Sequence, residues 1–205
     1  MNKRQKLALE TKQKLVDSAI LLLKEKGFEA INVEEITKKA GVAKGTFYSH
    51  FNRKEDIVIE ISRSPFRELD NKLKEMQGVN FLEKITYYFK NFMILVESFN
   101  INICREWIKD VINPSLVPDT KDGKKWFYDI EMLKNILLDA IKNNELKQET
   151  PIELFSNLLI SELYGMTVCW CMSDGIFEPL EWTKKFCETQ LDKIFEPYII
   201  RNKTK

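Results

Sequence analysis

The sequence has too few histidines and paired cysteines for several kinds of catalytic or metal site. It contains one histidine, His50, and its four cysteines form no CxxC motif. A zinc site needs several well-spaced Cys or His ligands, and a Ser/His/Asp triad needs a histidine of its own. No glycine-rich phosphate loop is present, and the pair Asp119 and Asp122 is typical of a solvated turn. The sequence therefore predicts a protein that is not an enzyme and holds no metal or cofactor.

Long apolar runs and targeting signals are also scarce. We expect no segment long and apolar enough to cross a bilayer, and the opening residues MNKRQKLALETKQK lack the apolar part of a signal peptide. A cytoplasmic location without a membrane partner is the expectation. In that compartment Cys104, Cys169, Cys171 and Cys187 are expected to be reduced, half-buried side chains. A redox role for Cys169 and Cys171 stays open.

The charge is unevenly distributed along a chain whose net charge is only +1. Residues 1–54 carry twelve Lys and Arg against six Asp and Glu, whereas residues 55–205 carry twenty against twenty-five. A basic segment followed by an acidic remainder is typical of a phosphate-binding module joined to a larger domain. A basic face that only meets solvent is the alternative reading of the same pattern.

Nearly every segment has the apolar spacing of an α-helix, so the fold class is predicted as all-α. Gly27 is expected to end a first helix, and Asn32 with Glu35 forms a capping-box pattern that starts a second. Gly41 ends the second helix, and Asn52 is expected to cap a fourth that Pro65 kinks or breaks. Further helices are predicted over 80–99, 101–112, 124–143, 152–173 and 180–199.

The segment AGVAKGTFYSHF, residues 40–51, has the pattern of a recognition helix. Two short helices joined by a glycine turn predict a helix-turn-helix, whose last helix enters the major groove. Phe47 and Phe51 would anchor this helix, while the polar side chains of the opposite face meet DNA. Lys44 and Thr46 are donors for bases or phosphates, and Gly45 lets the backbone approach the duplex. Four further donors are suited to phosphate oxygens: Tyr48, Ser49, His50 and Lys54.

The stretch GFEAINVEEITKKAGVAKGTFYSHFNRKEDI resembles the DNA-binding domain of the tetracycline-repressor (TetR) family of bacterial regulators. The resemblance covers residues 9–69, with the DNA-binding motif at 32–51. It implies that Lys44, Gly45 and Thr46 read or approach bases and that Tyr48, His50 and Lys54 hold phosphates. It also implies that Asn32 and Val33 lie near the DNA backbone.

Two positions depart from the family pattern. Ala43 stands where family members usually have Ser, so the recognition helix lacks a side-chain N-cap worth about 1 kcal/mol. Ile31 stands where Thr is common, which removes one phosphate contact. Both changes leave the affinity for an operator open.

Residues 70–205 are predicted to form a ligand-binding and dimerisation bundle, on which the helix-turn-helix domain packs. This segment is rich in aromatic and sulfur-containing side chains, which line apolar pockets between helices but more often only fill a core. The candidate pocket residues are Phe89, Phe92, Met93, Cys104, Trp107, Trp126, Tyr128, Tyr164, Met166 and Trp170.

The segment IELFSNLLISELYGMTVCWCM is apolar almost all round, so a partner subunit is expected to cover one of its sides. A two-fold homodimer of this kind needs a palindromic operator with half-sites about 34 Å, or a multiple of it, apart. The candidate interface residues are Leu158, Ser161, Gly165, Trp182, Phe186, Ile194, Phe195 and Tyr198.

These observations predict a ligand-responsive regulator that binds double-stranded DNA as a homodimer. It is expected to be a repressor that a small, largely apolar effector releases from its operator. Two alternatives stay open: a DNA-binding dimer without a ligand, constitutive or architectural, and an activator. The effector, the operator sequence and the regulated genes do not follow from the sequence.

Overall fold

The computed structural model of the chain describes residues 3–112 and 125–201. Within these ranges the chain is helical, and the only β pairing is an isolated bridge between Leu146 and Ile199. The predicted all-α fold is confirmed, whereas Asp119 and Asp122, predicted to lie in a solvated turn, fall outside the described residues. The helices are α1 (Lys3–Lys26), α2 (Val33–Ala40), α3 (Lys44–Tyr48), α4 (Glu55–Glu75), α5 (Phe81–Ser98), α6 (Asn100–Ile112), α7 (Lys125–Lys142), α8 (Ile152–Met172), α9 (Pro179–Phe186) and α10 (Asp192–Phe195).

Local capping signals fix the ends of the first helices. The side chain of Asn32 accepts a hydrogen bond from the backbone N–H of Glu35 at 2.9 Å, and the Glu35 carboxylate accepts one from the N–H of Asn32 at 3.2 Å. This completes the predicted capping box of α2. Gly27 and Gly41 adopt φ of 77° and 69°, the left-handed conformation in which glycine ends a helix.

The start of α4 differs from the prediction that Asn52 caps it. The helix begins at Glu55, and the carboxylate of Asp56 accepts hydrogen bonds from the backbone N–H groups of Asn52 and Arg53. Asp56 thus fixes the residues just before α4, and no side chain caps the first turn of the helix. Pro65 lies inside α4, which continues as one helix to Glu75 instead of breaking.

The chain packs around two hydrophobic cores. The N-terminal core combines α1, α2 and α3 with parts of α4 and α6, and the C-terminal core is built mainly from α5, α7 and α8. Helix α4 belongs to both cores, and the predicted domain boundary at 69/70 falls inside it. Its contributions are Ile57, Val58 and Ile61 to the N-terminal core and Phe66, Leu69 and Leu73 to the C-terminal core.

The segment predicted as one helix over 180–199 is helical without a break from Pro179 to Phe195 and includes one π-helical turn. Helix α9 continues into a π-helical turn, Cys187–Leu191, and α10 ends at Phe195. The ring of Phe195 then enters the C-terminal core between Phe81 and Phe155, at centroid distances of 5.1 Å and 4.5 Å. The end of α10 is therefore held by core packing.

Helix α8 is long and apolar enough to cross a membrane by length and composition alone, contrary to the expectation that no segment would be. It packs against α5, α6 and α7 and supplies Phe155, Leu159 and Leu163 to the C-terminal core. A core helix of a soluble protein has the same composition, so this feature alone is weak grounds for a membrane span.

Candidate nucleic-acid interface and interior site

Helix α3 is held to the N-terminal core by one face. Phe47 is fully buried and Phe51 is 5% exposed, and their ring centroids lie 5.2 Å apart. Ala43 occupies the N-cap position in an extended conformation and offers no side-chain hydrogen bond. The helix is therefore short, anchored by aromatic packing and open at its N-terminus, as the sequence predicted.

Lys44 is the first residue of α3, and its side chain is exposed. Its ammonium group donates a hydrogen bond to the carboxylate of Glu34, near the start of α2. This hydrogen bond raises the pKa of Lys44 and lowers the pKa of Glu34, so both groups stay charged at neutral pH. In the free protein the carboxylate of Glu34 therefore competes with bases and phosphates for the ammonium group of Lys44.

Gly45 presents bare backbone to solvent. The residue is exposed, and a Cβ atom added to it would meet no other atom within 4 Å. The packing of the free protein therefore does not require glycine here. Glycine is required at this position where a binding partner comes close to the backbone of α3.

The remaining predicted contacts of α3 differ in how accessible they are. The ring of Tyr48 is 49% exposed, and Ser49 is exposed, although its hydroxyl donates to the carbonyl of Thr46 at 2.7 Å. Thr46 and His50 are half-buried. The exposed groups on this side of the domain are thus mainly Lys44, Gly45, Tyr48 and Ser49.

Lys54 has a structural role that sequence reasoning missed. Its ammonium donates to the carbonyl oxygens of Phe28 and Ile31, both at 3.0 Å, and lies 4.1 Å from the centroid of the Phe28 ring. These contacts fasten the start of α4 to the corner between α1 and α2. Holding a phosphate as well remains a prediction for this residue.

The two residues predicted near the DNA backbone at the start of α2 serve the fold itself. The side chain of Val33 is 8% exposed and packs in the N-terminal core, so only its backbone faces outward. The side chain of Asn32 is engaged in the capping box.

An aromatic cluster fills the C-terminal core beside α4. Phe92 lies at its centre, with ring centroids 4.9 Å from Phe66, 5.9 Å from Tyr88 and 6.1 Å from Tyr164. Trp107 extends the cluster, 5.5 Å from Tyr164, but packs in the N-terminal core. The aromatic side chains therefore run continuously from one core to the other.

A small apolar void lies where α4, α5 and α6 meet. Its volume is about 10 Å³, which is the room of one water molecule. No larger ligand fits unless the surrounding side chains move. The void is lined by Val58, Phe66, Phe92, Val96, Phe99, Ile103, Cys104 and Trp107.

Two buried carboxylates lie next to this cluster and were not singled out from the sequence. Asp129 of α7 and Asp70 of α4 are each 2% exposed. The hydroxyl of Tyr164 donates to Asp129 at 2.7 Å, while Asp70 accepts from Tyr128 and, at 2.7 Å, from Lys74. Polar groups thus lie inside a bundle whose sequence reads as apolar.

The structure places the predicted pocket residues in three environments. Phe92, Cys104 and Trp107 line the void, and Tyr164 packs on two of them. Trp126 and Tyr128 are 37% and 45% exposed at the start of α7, away from the void. Tyr128 lines a separate cavity of about 850 Å³ together with Asp70 and Lys74, so its place in a ligand pocket stays a prediction. The others are buried or half-buried core side chains outside the void: Phe89, Met93, Met166 and Trp170.

Comparison with known proteins identifies the N-terminal domain. Residues 15–61 match the family model described as bacterial regulatory proteins, tetR family. The chain is 26% identical over 167 residues to the fatty acid metabolism regulator protein of Bacillus subtilis, a match that covers 80% of this chain and 85% of that protein. The chain belongs to the TetR family of bacterial transcriptional regulators. Membership makes it a DNA-binding regulator and not an enzyme.

Solved structures share the whole architecture of this TetR-family chain. The transcriptional regulator FadR from Bacillus subtilis, in complex with stearoyl-CoA, superposes with a TM-score of 0.67 at 21% identity, covering 86% of this chain and 95% of that one. FadR from Thermus thermophilus, a repressor in complex with lauroyl-CoA, gives 0.68 at 17% identity, covering 95% and 98%. At these identities the likeness shows the fold.

One face of α8 in this TetR-family regulator is apolar and exposed. Leu154, Leu158 and Met172 are 55%, 49% and 80% exposed, and Ser161 and Gly165 are exposed between them. Their spacing repeats about every 3.5 residues, as in helices that pack side by side.

The residues predicted for this interface on the last two helices behave differently. Trp182 is 54% exposed. Phe186 is half-buried, with its ring stacked on Phe89 at a centroid distance of 5.9 Å. Ile194 and Tyr198 are also half-buried against the C-terminal core. Phe195 is fully buried within its own subunit, so its prediction as an interface residue is wrong.

Cys104 on α6 and Cys171 on α8 are buried and lie next to each other, whereas Cys169 is exposed. The thiol of Cys104 donates a hydrogen bond to the carbonyl of Val96 at 3.4 Å. The interaction with Cys171, together with burial, raises the pKa of Cys104, so its thiol stays protonated. In the described part of the chain, no group of three His, Cys, Asp or Glu side chains is placed to hold a metal ion.

Proposed function

We propose that this TetR-family regulator is a cytoplasmic repressor that binds a palindromic operator as a homodimer and is released by a small, largely apolar effector. The observation that carries the effector response is the position of α4, which supplies Ile57, Val58 and Ile61 to the N-terminal core and Phe66 to the C-terminal core. A displacement of this helix therefore changes both domains.

The void between α4, α5 and α6 is the proposed origin of that displacement. Val58 lines the void and also packs in the core that carries the recognition helix. An effector chain that enters here must separate α4 from Phe92 and Val96 of α5, because the void has a volume of only about 10 Å³. In a dimer, such a shift changes the distance between the two α3 helices, so that they fit successive major grooves poorly.

The chemistry of the cluster favours an effector with a hydrocarbon chain. The void lining is aliphatic and aromatic, apart from the thiol of Cys104. FadR of Bacillus subtilis and of Thermus thermophilus, which share this fold, are described with stearoyl-CoA and lauroyl-CoA. We therefore propose a fatty acyl thioester as the effector class.

The exposed face of α8 is the proposed dimer contact, together with Trp182 of α9. A face with Leu158 and Met172 at 49% and 80% exposure is unfavourable in water, and a second copy of the chain buries it. Gly165 and Ser161 lie between them and allow close approach of the partner helix.

The test is a measurement of operator affinity with and without an effector. A binding site is first selected from random-sequence duplex DNA, and the dissociation constant is then measured by fluorescence anisotropy with increasing lauroyl-CoA. We expect a loss of affinity of about tenfold or more, since allosteric couplings amount to about 1–3 kcal/mol. Stearoyl-CoA and free CoA serve as the chain-length and head-group controls.

A dimer that binds DNA without any effector is the second candidate, and the dense aromatic cluster, whose void has a volume of only about 10 Å³, favours it. It predicts one unchanged operator affinity for all three compounds, even at concentrations where direct binding to the protein is saturated. That result would refute the proposed release mechanism.

A further inference from the structure

Tyr88 carries a buried hydroxyl group that makes no hydrogen bond. The residue lies in the middle of α5 and is 1% exposed, and its hydroxyl oxygen has no partner within the described residues. A buried polar group without a partner destabilises the folded state, so such groups are rare and call for an explanation.

The neighbouring phenols do not share this property. Tyr164 donates to Asp129 and Tyr128 donates to Asp70, so each hydroxyl has a carboxylate partner. Burial is the largest cause that raises the pKa of Tyr88 well above its ordinary value, and the carboxylate of Asp129, which lies near the hydroxyl without reaching hydrogen-bond geometry, adds to it. Tyr88 therefore keeps its proton and remains a donor.

The ring of Phe92 lies between the ring of Tyr88 and the void formed by α4, α5 and α6. The ring of Tyr88 contacts Phe92 at a centroid distance of 5.9 Å, and Phe92 lines the void. An effector that displaces Phe92 enters the space next to Tyr88. We propose that Tyr88 is the effector-recognising donor of this protein: its hydroxyl binds the carbonyl oxygen of an uncharged ester, thioester or lactone.

The same surroundings disfavour a free carboxylate at this position. Asp129 and Asp70 are each 2% exposed, and their charges act on the Tyr88 hydroxyl. Lys74 forms an ion pair with Asp70 at 2.7 Å, and its own side chain is mainly in solvent. A ligand carboxylate would face a like charge in a poorly solvated site, whereas a neutral carbonyl would not. The ligand class is therefore a neutral carbonyl on a hydrocarbon chain.

This inference rests on the proposed function, because it names the effector chemistry of the same site. Direct binding without DNA tests it separately from operator release. The probes are the N-acetylcysteamine thioesters of octanoic, dodecanoic and hexadecanoic acid. Each is compared with the matching alkyl thioether, which lacks only the carbonyl oxygen, and with the free fatty acid. Binding is followed through tryptophan fluorescence, since Trp107 lies 5.5 Å from Tyr164 beside the void.

The deciding variant is Tyr88→Phe. The matched control is Tyr87→Phe on the same helix, because the side chain of Tyr87 is half-buried. We expect the full-length wild type to bind a thioester about tenfold more tightly than its thioether, which is the usual size of one hydrogen bond. Tyr88→Phe should remove this preference by weakening only the thioester, and Tyr87→Phe should keep it.

Thermal unfolding without ligand completes the test. Tyr88→Phe removes an unpartnered hydroxyl, so its midpoint should equal or exceed that of the wild type. Tyr164→Phe, which breaks a hydrogen bond to Asp129, should lower the midpoint.

Three outcomes would overturn the assignment of Tyr88. They are equal binding of thioester and thioether by the wild type, a thioester preference that survives in Tyr88→Phe, and free fatty acids that bind more tightly than thioesters. The first two leave operator release by acyl-CoA standing, whereas loss of that release in the wild type refutes the proposed function itself.

Discussion

Replacing Gly45 by alanine separates the needs of the free protein from the needs of the DNA complex. The residue lies in the first turn of α3, is exposed, and has open space where a Cβ would be placed. Glycine is about 1 kcal/mol less favourable than alanine in a helix interior, and in this first turn we expect about half of that difference. Gly45→Ala should therefore raise the unfolding midpoint by about 1–2 °C.

The effect on DNA binding should have the opposite sign. A methyl group on the face that carries Lys44 and Tyr48 would hold the backbone away from the duplex and lengthen the neighbouring contacts. A loss of about 1.5 kcal/mol at each recognition helix, the size of one base contact, adds to about 3 kcal/mol in a dimer. That sum corresponds to an operator affinity about a hundredfold lower.

The assay is operator binding by anisotropy together with calorimetric unfolding of the same preparations. Ala43→Ser is the matched control, because it restores the missing N-cap and should stabilise α3 by about 1 kcal/mol while leaving operator affinity intact. If Gly45→Ala binds the operator as tightly as the wild type, the backbone of α3 does not approach the duplex at this point, and the assignment of the recognition surface is wrong.

Three further changes test other parts of the molecule. Glu34→Gln frees Lys44 from its ion pair, so operator affinity should rise and depend more steeply on salt, as read from anisotropy titrations at several salt concentrations; an unchanged slope would show that Lys44 meets no phosphate. Lys54→Met removes two hydrogen bonds to backbone carbonyls and should lower the free energy of unfolding by about 1–2 kcal/mol in urea titrations, and an unshifted midpoint would contradict this role. Gly165→Ala should weaken self-association in sedimentation equilibrium, and an unchanged dimerisation constant would move the interface away from α8.

Features that depend on a few neighbouring residues were predictable from the sequence. The capping box of Asn32 and Glu35 and the left-handed glycines Gly27 and Gly41 involve backbone groups at most four residues away. Local chemistry alone selects them, so the boundaries of α2 follow from the residue pattern.

Features that depend on competition between local signals were harder to predict. Asn52 and Asp56 both offer an oxygen near the start of α4, and the structure uses Asp56. Lys54 resembles a solvent-exposed cation in sequence, but its partners Phe28 and Ile31 are more than twenty residues away along the chain. Only the packing of α4 on the α1–α2 corner brings them together.

The interior site shows the same limit. Asp129 follows three exposed aromatic residues, and nothing in its neighbourhood distinguishes it from a surface carboxylate. Tyr88 reads as a core aromatic, and the missing partner of its hydroxyl is visible only when all surrounding helices are in place. The hydrophobic periodicity of a sequence does not reveal that a hydroxyl group lacks a hydrogen-bond partner.

Effector binding and operator binding are coupled because only a few helices join the two cores. Helix α4 enters both, and α6 adds Ile103 and Trp107 to the N-terminal core while Cys104 packs in the C-terminal core. Close-packed interiors do not deform continuously, so a chain inserted beside Phe92 must move these helices to a second packing arrangement. The effector shifts the equilibrium only by the difference between its affinities for the two arrangements. A hydrogen bond from Tyr88 that forms only after Phe92 has moved contributes to that difference, because it stabilises the released state alone.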